Sequence, residues 1–437
     1  MRTAQRDAPP APVEVLGDFA GASLGAIKWR GAELLVALRQ DPVTVADGLR
    51  HDYNSHFVFG LRNPGASPRR VRVLVNALAS EPLERPALIY ESASLEAEFH
   101  LARFPARYDG YTRYCLEPTL EPGQTLFVAN TCFRPPARLV AGLEEAAAAN
   151  GWRREVFGRS LQGRELVAYH LGAAAPERPV VLITSGFHPP EPDTLVSEAL
   201  LRHLGSPGWA PLRERFAFVI VPVVNPDGFF LGTQGHNAAG VNLYWDFRPR
   251  ERERCPEAHH LWRLALGLRP VLYFDFHAYT FQVGRKHASP YLKPLWFYSG
   301  RPVRRVVEAI NRRLLAYTGG HAMRGLATVA PSTLGARLTR TLNTITYAKY
   351  HVHLADGPEE CREHGLAVVR LACEALLEAG VRRPAQVLKR PYGGQPRAQA
   401  RAALCRAYTL WEGPLKARLR PLAALLRRGG PQGGAAP

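Results

Sequence analysis

Three apolar runs constrain this chain most: "RPVVLITSG" at 178–186, "FAFVIVPVV" at 216–224 and "PVLYFDFHAYT" at 270–280. A strand with one wet face alternates apolar and polar residues, whereas a strand covered on both faces is apolar almost throughout. The runs are short enough for strands. Amphipathic helical stretches lie among them, "PDTLVSEALLRHL" at 192–204 and "PEECREHGLAVVRLACEALLEAG" at 358–380. The pattern predicts an α/β domain with a mixed, largely parallel sheet flanked by helices.

The region before it reads differently. "HFVFGLRN", "RRVRVLVNA", "PALIYES", "RYCLEP" and "TLFVANT" are short runs with alternation and β-branched or aromatic residues, punctuated by "NPGASP" and "EPGQ". Such spacing predicts an all-β sandwich. "RPPARLVAGLEEAAAANGW" then switches to helix, opened by Pro135 and Pro136 and stopped at Gly151. The expected organisation is a disordered lead at 1–13, a β-sandwich at 14–134, an α/β domain at 135–385, and a Pro-, Gly- and Arg-rich tail at 386–437 that holds a further helix in "ALCRAYTLWEGPLKARLRPLAALLRR".

With 46% hydrophobic and 22% charged residues, the 437-residue chain has the composition of a globular protein with a sizeable core. No run is long enough to span a bilayer. The first residues lack the apolar core of a signal peptide, which predicts a cytoplasmic protein with no membrane partner. Six scattered cysteines without a CxxC pair fit free thiols in a reducing compartment. The net charge of +18 is almost all arginine and is spread along the chain. It is compatible with an acidic peptide partner and equally with a composition that favours Arg, Ala, Gly and Pro. No helix-turn-helix, zinc-knuckle or RNA-binding signature accompanies it, which argues against nucleic acid.

The first run ends in "TSGFHPPEPDT". His188 and Glu191, three apart, follow a buried-type strand at its carboxyl end, where open α/β sheets place their sites. A hydrolytic zinc ion takes three protein ligands and leaves one position open. The third candidate is His277, at the end of another apolar run. Asp275, two residues before it, falls on the same side of a strand and is placed to accept the free ring N–H of a ligand histidine. Between them "NPDG" at 225–228 ends a strand and by itself makes a good turn.

Taken in order, HxxE, NPDG, the Gly240–Leu243 segment and DxH resemble the zinc carboxypeptidases of the carboxypeptidase A-like superfamily. The similarity is strongest to the cytosolic carboxypeptidase branch, in which a β-sandwich precedes the catalytic domain. It covers about 14–380, and "GRSLQGRELVAYHLG" at 158–172 resembles the opening strands of that domain. The resemblance implies one Zn2+ held by His188, Glu191 and His277.

The chain departs from the family where the substrate's terminal carboxylate is read. The family arginine after NPDG falls on Gly235, and the following Asn–Arg pair falls on Tyr244 and Trp245. Arginine binds a carboxylate through a planar two-bond fork, which tyrosine and tryptophan lack. Tyr244, Trp245 and Asp246 are therefore expected to line a pocket for an aromatic or uncharged group. Core packing is the other reading of Tyr244 and Trp245. The family's catalytic glutamate falls on His353, with His351 two residues before it. Three roles for His353 stay open: general base, fourth zinc ligand, or bystander. Tyr279, Thr280 and Asp356 are further polar candidates, and Glu359 and Glu360 suit a helix start by dipole alone. Two functions follow. One is a zinc-dependent hydrolase of a peptide or amide with altered specificity. The other is an inactive zinc-retaining binding or scaffold module.

Overall fold

The structure is a computed structural model that describes residues 13–46, 49–51, 56–76, 89–108, 113–172, 178–189, 191–278, 290, 292–293, 295–320, 332–351 and 357–389. Most of the expected lead, the tail beyond 389 with its helix, and His353, Tyr279, Thr280 and Asp356 lie outside the described residues.

The amino-terminal region is strand-rich. One five-stranded antiparallel sheet orders Glu14–Leu16, Val58–Arg62, Thr125–Ala129, Tyr90–Ser92 and His100–Leu101. A second orders Ala106–Tyr108, Arg113–Leu116, Arg72–Asn76, Glu33–Leu38 and Leu24–Arg30. The pairing of Glu33–Leu38 with Arg72–Asn76 is parallel in that sheet. The strand Glu33–Leu38 alternates half-buried and buried residues, so Leu34, Val36 and Leu38 share one face. They join a core with Phe59, Leu61, Val73, Val75, Leu116 and Val128, as the inner faces of a sandwich do.

The helix Pro136–Ala149 follows, with proline in its first turn, where the missing N–H costs nothing. Beyond it lies a six-stranded mixed sheet, ordered Arg153–Arg159, Glu165–Leu171, Ala217–Val221, Val180–Thr184, Leu272–His277 and Ile345–His351. The first two pairings are antiparallel and the last three parallel. Every residue of Val180–Thr184, Ala217–Val221 and Leu272–His277 is buried, which is why those runs carry no polar alternation. Helices flank the sheet. Thr194–His203 and Pro358–Glu378 approach so closely that a Cβ on Gly365 would lie 2.3 Å from Val196 Cγ1.

After Val180–Thr184 the chain crosses first to Ala217–Val221 on one side and later to Leu272–His277 on the other. Val180–Thr184 is thus where the strand order reverses, the point beyond whose carboxyl end open α/β sheets place their sites.

Candidate metal centre

The chain leaves Val180–Thr184 through Ser185 and Gly186. Gly186 has φ +67°, and a Cβ there would lie 2.9 Å from Pro222 O, so the turn accepts only glycine without strain. Both carboxylate oxygens of Asp193 accept from Gly186 N–H, at 3.1 and 3.2 Å. Glu191 N–H donates to His188 O at 3.0 Å. That closed turn carries His188 and Glu191 back over the strand end.

Asn225 and Asp227 of NPDG brace the turn. Asn225 Oδ1 caps the helix Pro226–Leu231 by accepting from Gly228 N–H at 3.0 Å. Its Nδ2 donates to Phe187 O at 3.4 Å and to His236 O at 3.2 Å. Asp227 is fully buried and accepts from Ser160 Oγ at 2.7 Å, Gln162 N at 2.9 Å and Arg164 Nη1 at 2.7 Å. The "SLQGR" segment is thereby tied to the site's supporting loop.

His188, Glu191 and His277 converge. Glu191 Oε1 lies 2.8 Å from His188 Nδ1, and Oε2 lies 2.9 Å from His277 Nδ1. Ala278 N–H donates to the same Oε2 at 3.1 Å. All three side chains are buried, and one donor atom from each lies within 4.8 Å of the others. Among the described residues this is the one group of His, Cys, Asp and Glu side chains close enough to share an ion. Asp275 Oδ2 stands 3.3 Å from His277 Nε2, and Thr184 Oγ1 donates to Asp275 Oδ1 at 3.2 Å. The two ring nitrogens of His277 thus face different carboxylates, Nδ1 toward Glu191 at hydrogen-bond distance and Nε2 toward Asp275 at ion-pair distance.

Without an ion, the charges of the cluster compensate one another. Burial alone would raise the Glu191 carboxyl, but His277 and His188 outweigh it and hold the group well below the usual range. Burial alone would depress the His277 imidazole, but Asp275 and Glu191 raise it to about 10. Burial pushes Asp193 well above the usual carboxyl range. Two imidazoles and one carboxylate, buried and convergent, are the donor set of a hydrolytic zinc site, so the residues fit the metal that the sequence implies.

Tyr244 and Trp245 lie in the wall of this site, both buried. The Tyr244 ring stands edge-on to His277 at 4.7 Å, to His188 at 5.6 Å and to Trp245 at 4.9 Å between centroids. Asp246 pairs with Arg248. Gly235 presses on His188: an added Cβ would lie 2.6 Å from His188 Cδ2 and 3.0 Å from Asn242 Nδ2. His351 ends the edge strand in register with His277. Glu359 and Glu360 begin the helix Pro358–Glu378, and Glu359 pairs with Arg362 at 2.9 Å.

Two contributions were not anticipated from sequence. Asp193 sits at a helix start but makes no cap there, and supports the turn at Gly186 instead. The sandwich also reaches the site. A cavity of about 40 Å³ beside Glu191 is lined from the sandwich side by Gly21, His56 and Thr131. The described cysteines are free, and among the described residues no helix is long and apolar enough to cross a membrane.

The family model for zinc carboxypeptidases (Peptidase_M14) matches residues 143–290. Cytosolic carboxypeptidase 2 of Danio rerio is 29% identical over 194 residues, 39% of this chain and 27% of that protein. Cytosolic carboxypeptidase 6 of Mus musculus is 33% identical over 141 residues, 29% of this chain and 26% of that protein. The matched stretches thus span about a quarter of these relatives' length. Among solved structures, the metallo-carboxypeptidase of Burkholderia cenocepacia superposes with a TM-score of 0.65 at 17% identity, covering 84% of this chain and 98% of that one. The metallo-carboxypeptidase of Pseudomonas aeruginosa, solved with (2-guanidinoethylmercapto)succinic acid, does so with a TM-score of 0.65 at 17% identity, covering 84% and 99%. At that identity the likeness speaks for the fold. By sequence over 143–290 and by fold, this region is similar to zinc carboxypeptidases, and the curated relatives that match it are cytosolic carboxypeptidases.

Proposed function

We propose that this protein is a zinc-dependent hydrolase of a peptide or amide bond whose specificity no longer rests on arginine recognition of a terminal carboxylate. The observation that carries the reading is the Glu191 carboxylate set between His188 Nδ1 and His277 Nδ1 at the switch point of the sheet. His188, Glu191 and His277 would hold one Zn2+, with Asp275 orienting His277. When bound, the ion supplies Lewis-acid polarisation of the scissile carbonyl. Tyr244 and Trp245 form an apolar wall against the ligand histidines, and Gly235 leaves no side chain to fork a carboxylate. Asp246, next in the chain and paired with Arg248, is the third member of the proposed substrate-binding set. His353 is assigned the proton transfer between the attacking water and the leaving amine, because a neutral imidazole suits that task near neutral pH. The 14–134 and 135–385 segments are its two working units. The substrate is a peptide or amide, and the net charge of +18 favours acidic ones. A cytoplasmic setting is supported by the names of the relatives.

One feature favours a second reading, a zinc-retaining binding module without turnover. Tyr244 packs edge-to-face against both histidine rings and fills the space beside them. Metal analysis of the purified chain beside His188→Ala and His353→Ala, followed by a peptide and amide library with and without chelator, decides between them. The hydrolase reading expects bound zinc that His188→Ala abolishes and His353→Ala retains. It also expects a chelator-sensitive activity that treats amidated and free C-termini alike and that His353→Ala reduces at least about 100-fold. Zinc without any turnover selects the binding module. Strict dependence on a free C-terminus refutes the proposed specificity.

A further inference from the structure

The loop at 232–237 lies between the β-sandwich and the metal centre, and it touches both without slack. On the sandwich side, Gly21 N–H donates to Phe230 O at 3.0 Å, and a Cβ on Gly232 would lie 2.3 Å from Ala22 O. Asp41 Oδ2 accepts from Gln234 N–H at 2.6 Å and sits 2.9 Å from His236 Nδ1. His236 Nε2 is 2.7 Å from Thr44 Oγ1, and His56 N–H donates to Gln234 Oε1 at 3.1 Å. Thr44, His56, Gln234 and His236 are buried there, and the Asp41 side chain is largely covered.

These contacts hold the His236 ring from both ends. A carboxylate only accepts, so Nδ1 carries the proton toward Asp41 and Nε2 accepts from the Thr44 hydroxyl. On the other side of the loop, His236 O accepts from Asn225 Nδ2 at 3.2 Å and from Thr233 Oγ1 at 2.6 Å. Gly235, one residue away, is the surface against which the His188 ring rests, since even a methyl carbon would overlap it at 2.6 Å. A backbone fixed at 234 and 236 therefore fixes the backstop of His188.

We propose that Asp41, Thr44 and His236 are positioning residues for the metal centre, so that the β-sandwich sets the affinity with which the α/β domain holds its ion. This rests on the reading of His188 as a ligand. A ring displaced by a few tenths of an ångström no longer aims Nδ1 at the point Glu191 and His277 share. Partners outside the ligand set commonly alter metal affinity by about 10- to 100-fold. Residues one step further out, acting through a backbone, are expected at the lower end.

The test uses the full chain as Asp41→Ala, Asp41→Asn, Thr44→Val and His236→Gln. Zn2+ affinity is measured by chelator competition, and the visible absorption of the Co2+-loaded protein reports ligand geometry. Arg138→Ala is the control, because Arg138 Nη1 donates to Leu95 O and Ala97 O, sandwich carbonyls outside the 232–237 loop. The expected result is a roughly tenfold weaker Zn2+ affinity and shifted Co2+ bands for Asp41→Ala and His236→Gln. A smaller loss is expected for Thr44→Val, partial rescue in Asp41→Asn, and no change for Arg138→Ala. Unchanged affinity and bands in Asp41→Ala and His236→Gln overturn the proposal, as does an equal loss in Arg138→Ala. If Asp41→Ala does not fold, Thr44→Val and His236→Gln decide by the same criterion. A wild-type chain that takes up neither Zn2+ nor Co2+ refutes the ligand reading itself and this inference with it, which keeps the two failures apart.

Discussion

At Gly235 the absence of a side chain makes room for the His188 ring rather than leaving a gap in the pocket. The Cβ of any other residue would fall 2.6 Å from His188 Cδ2. Gly235→Ala is therefore expected to weaken Zn2+ binding more than tenfold, by the same ligand-orientation argument. Gly235→Arg, which restores the residue type the family uses, should lose the metal rather than gain carboxylate recognition. Chelator competition and turnover of free against amidated peptides check both outcomes; tight zinc with new free-carboxylate preference in Gly235→Arg would show that Tyr244 and Trp245 had left the arginine its space. The His188, Glu191 and Asp275–His277 placement was legible in sequence because each signal is local: a spacing of three after one strand, a spacing of two at the end of another. The Gly235–His188 contact was not, because nothing in either stretch says which residue lies against the ring. His188, Glu191 and His277 lie close enough to share an ion, while His353 lies outside the described residues.

At the scale of elements, NPDG reads from sequence as a turn and does more in the fold. Asn225 caps the helix Pro226–Leu231, and Asp227 takes three donors from the Ser160–Arg164 segment. The guanidinium of Arg164 also lies 4.1 Å over the Phe230 ring, so the latch is closed from both ends. Removing the Asp227 carboxylate strands buried donors. Asp227→Ala should cost about 3 kcal/mol of folding stability, read as a lower midpoint in urea. A loss under about 1 kcal/mol would mean that water replaces the carboxylate. The strands and helices themselves were readable because continuous burial in Val180–Thr184, Ala217–Val221 and Leu272–His277 leaves an apolar run, and alternation in the sandwich leaves a period of two. Side-chain latches such as Asp227 to Ser160 leave no such period, and only the folded chain exposes them.

Across the whole molecule, the seam between sandwich and α/β region carries a titratable group. His56 is fully buried, with its Nδ1 3.2 Å from Asn130 Oδ1. Burial lowers its pKa from 6.5 to about 4, against smaller raising effects of Asn130 and Asp41 and a lowering one of Arg39. In this window the unfolded chain binds a proton that the folded chain refuses. The stability contributed is complete above pH 6.5 and is lost as pH falls toward 4, by about 3 kcal/mol in all. Urea midpoints of the wild type should fall across that range, and those of His56→Gln should fall less steeply. Parallel slopes would assign the acid sensitivity to other groups. The sandwich as a fold class was legible from its strands, but its hold on the 232–237 loop was not, since Asp41 and His236 are 195 residues apart.

That separation also orders events in time. Asp41, Thr44 and His56 leave the ribosome long before the loop that satisfies them, and closing so long a chain segment is entropically slow. Until residue 236 arrives, the early sandwich presents an unmatched carboxylate, hydroxyl and amide at one edge, a patch suited to holding a chaperone or a wrong partner. If the proposed ion is bound, its capture would mark the end of maturation, since only chains whose first and second halves have found each other would hold it.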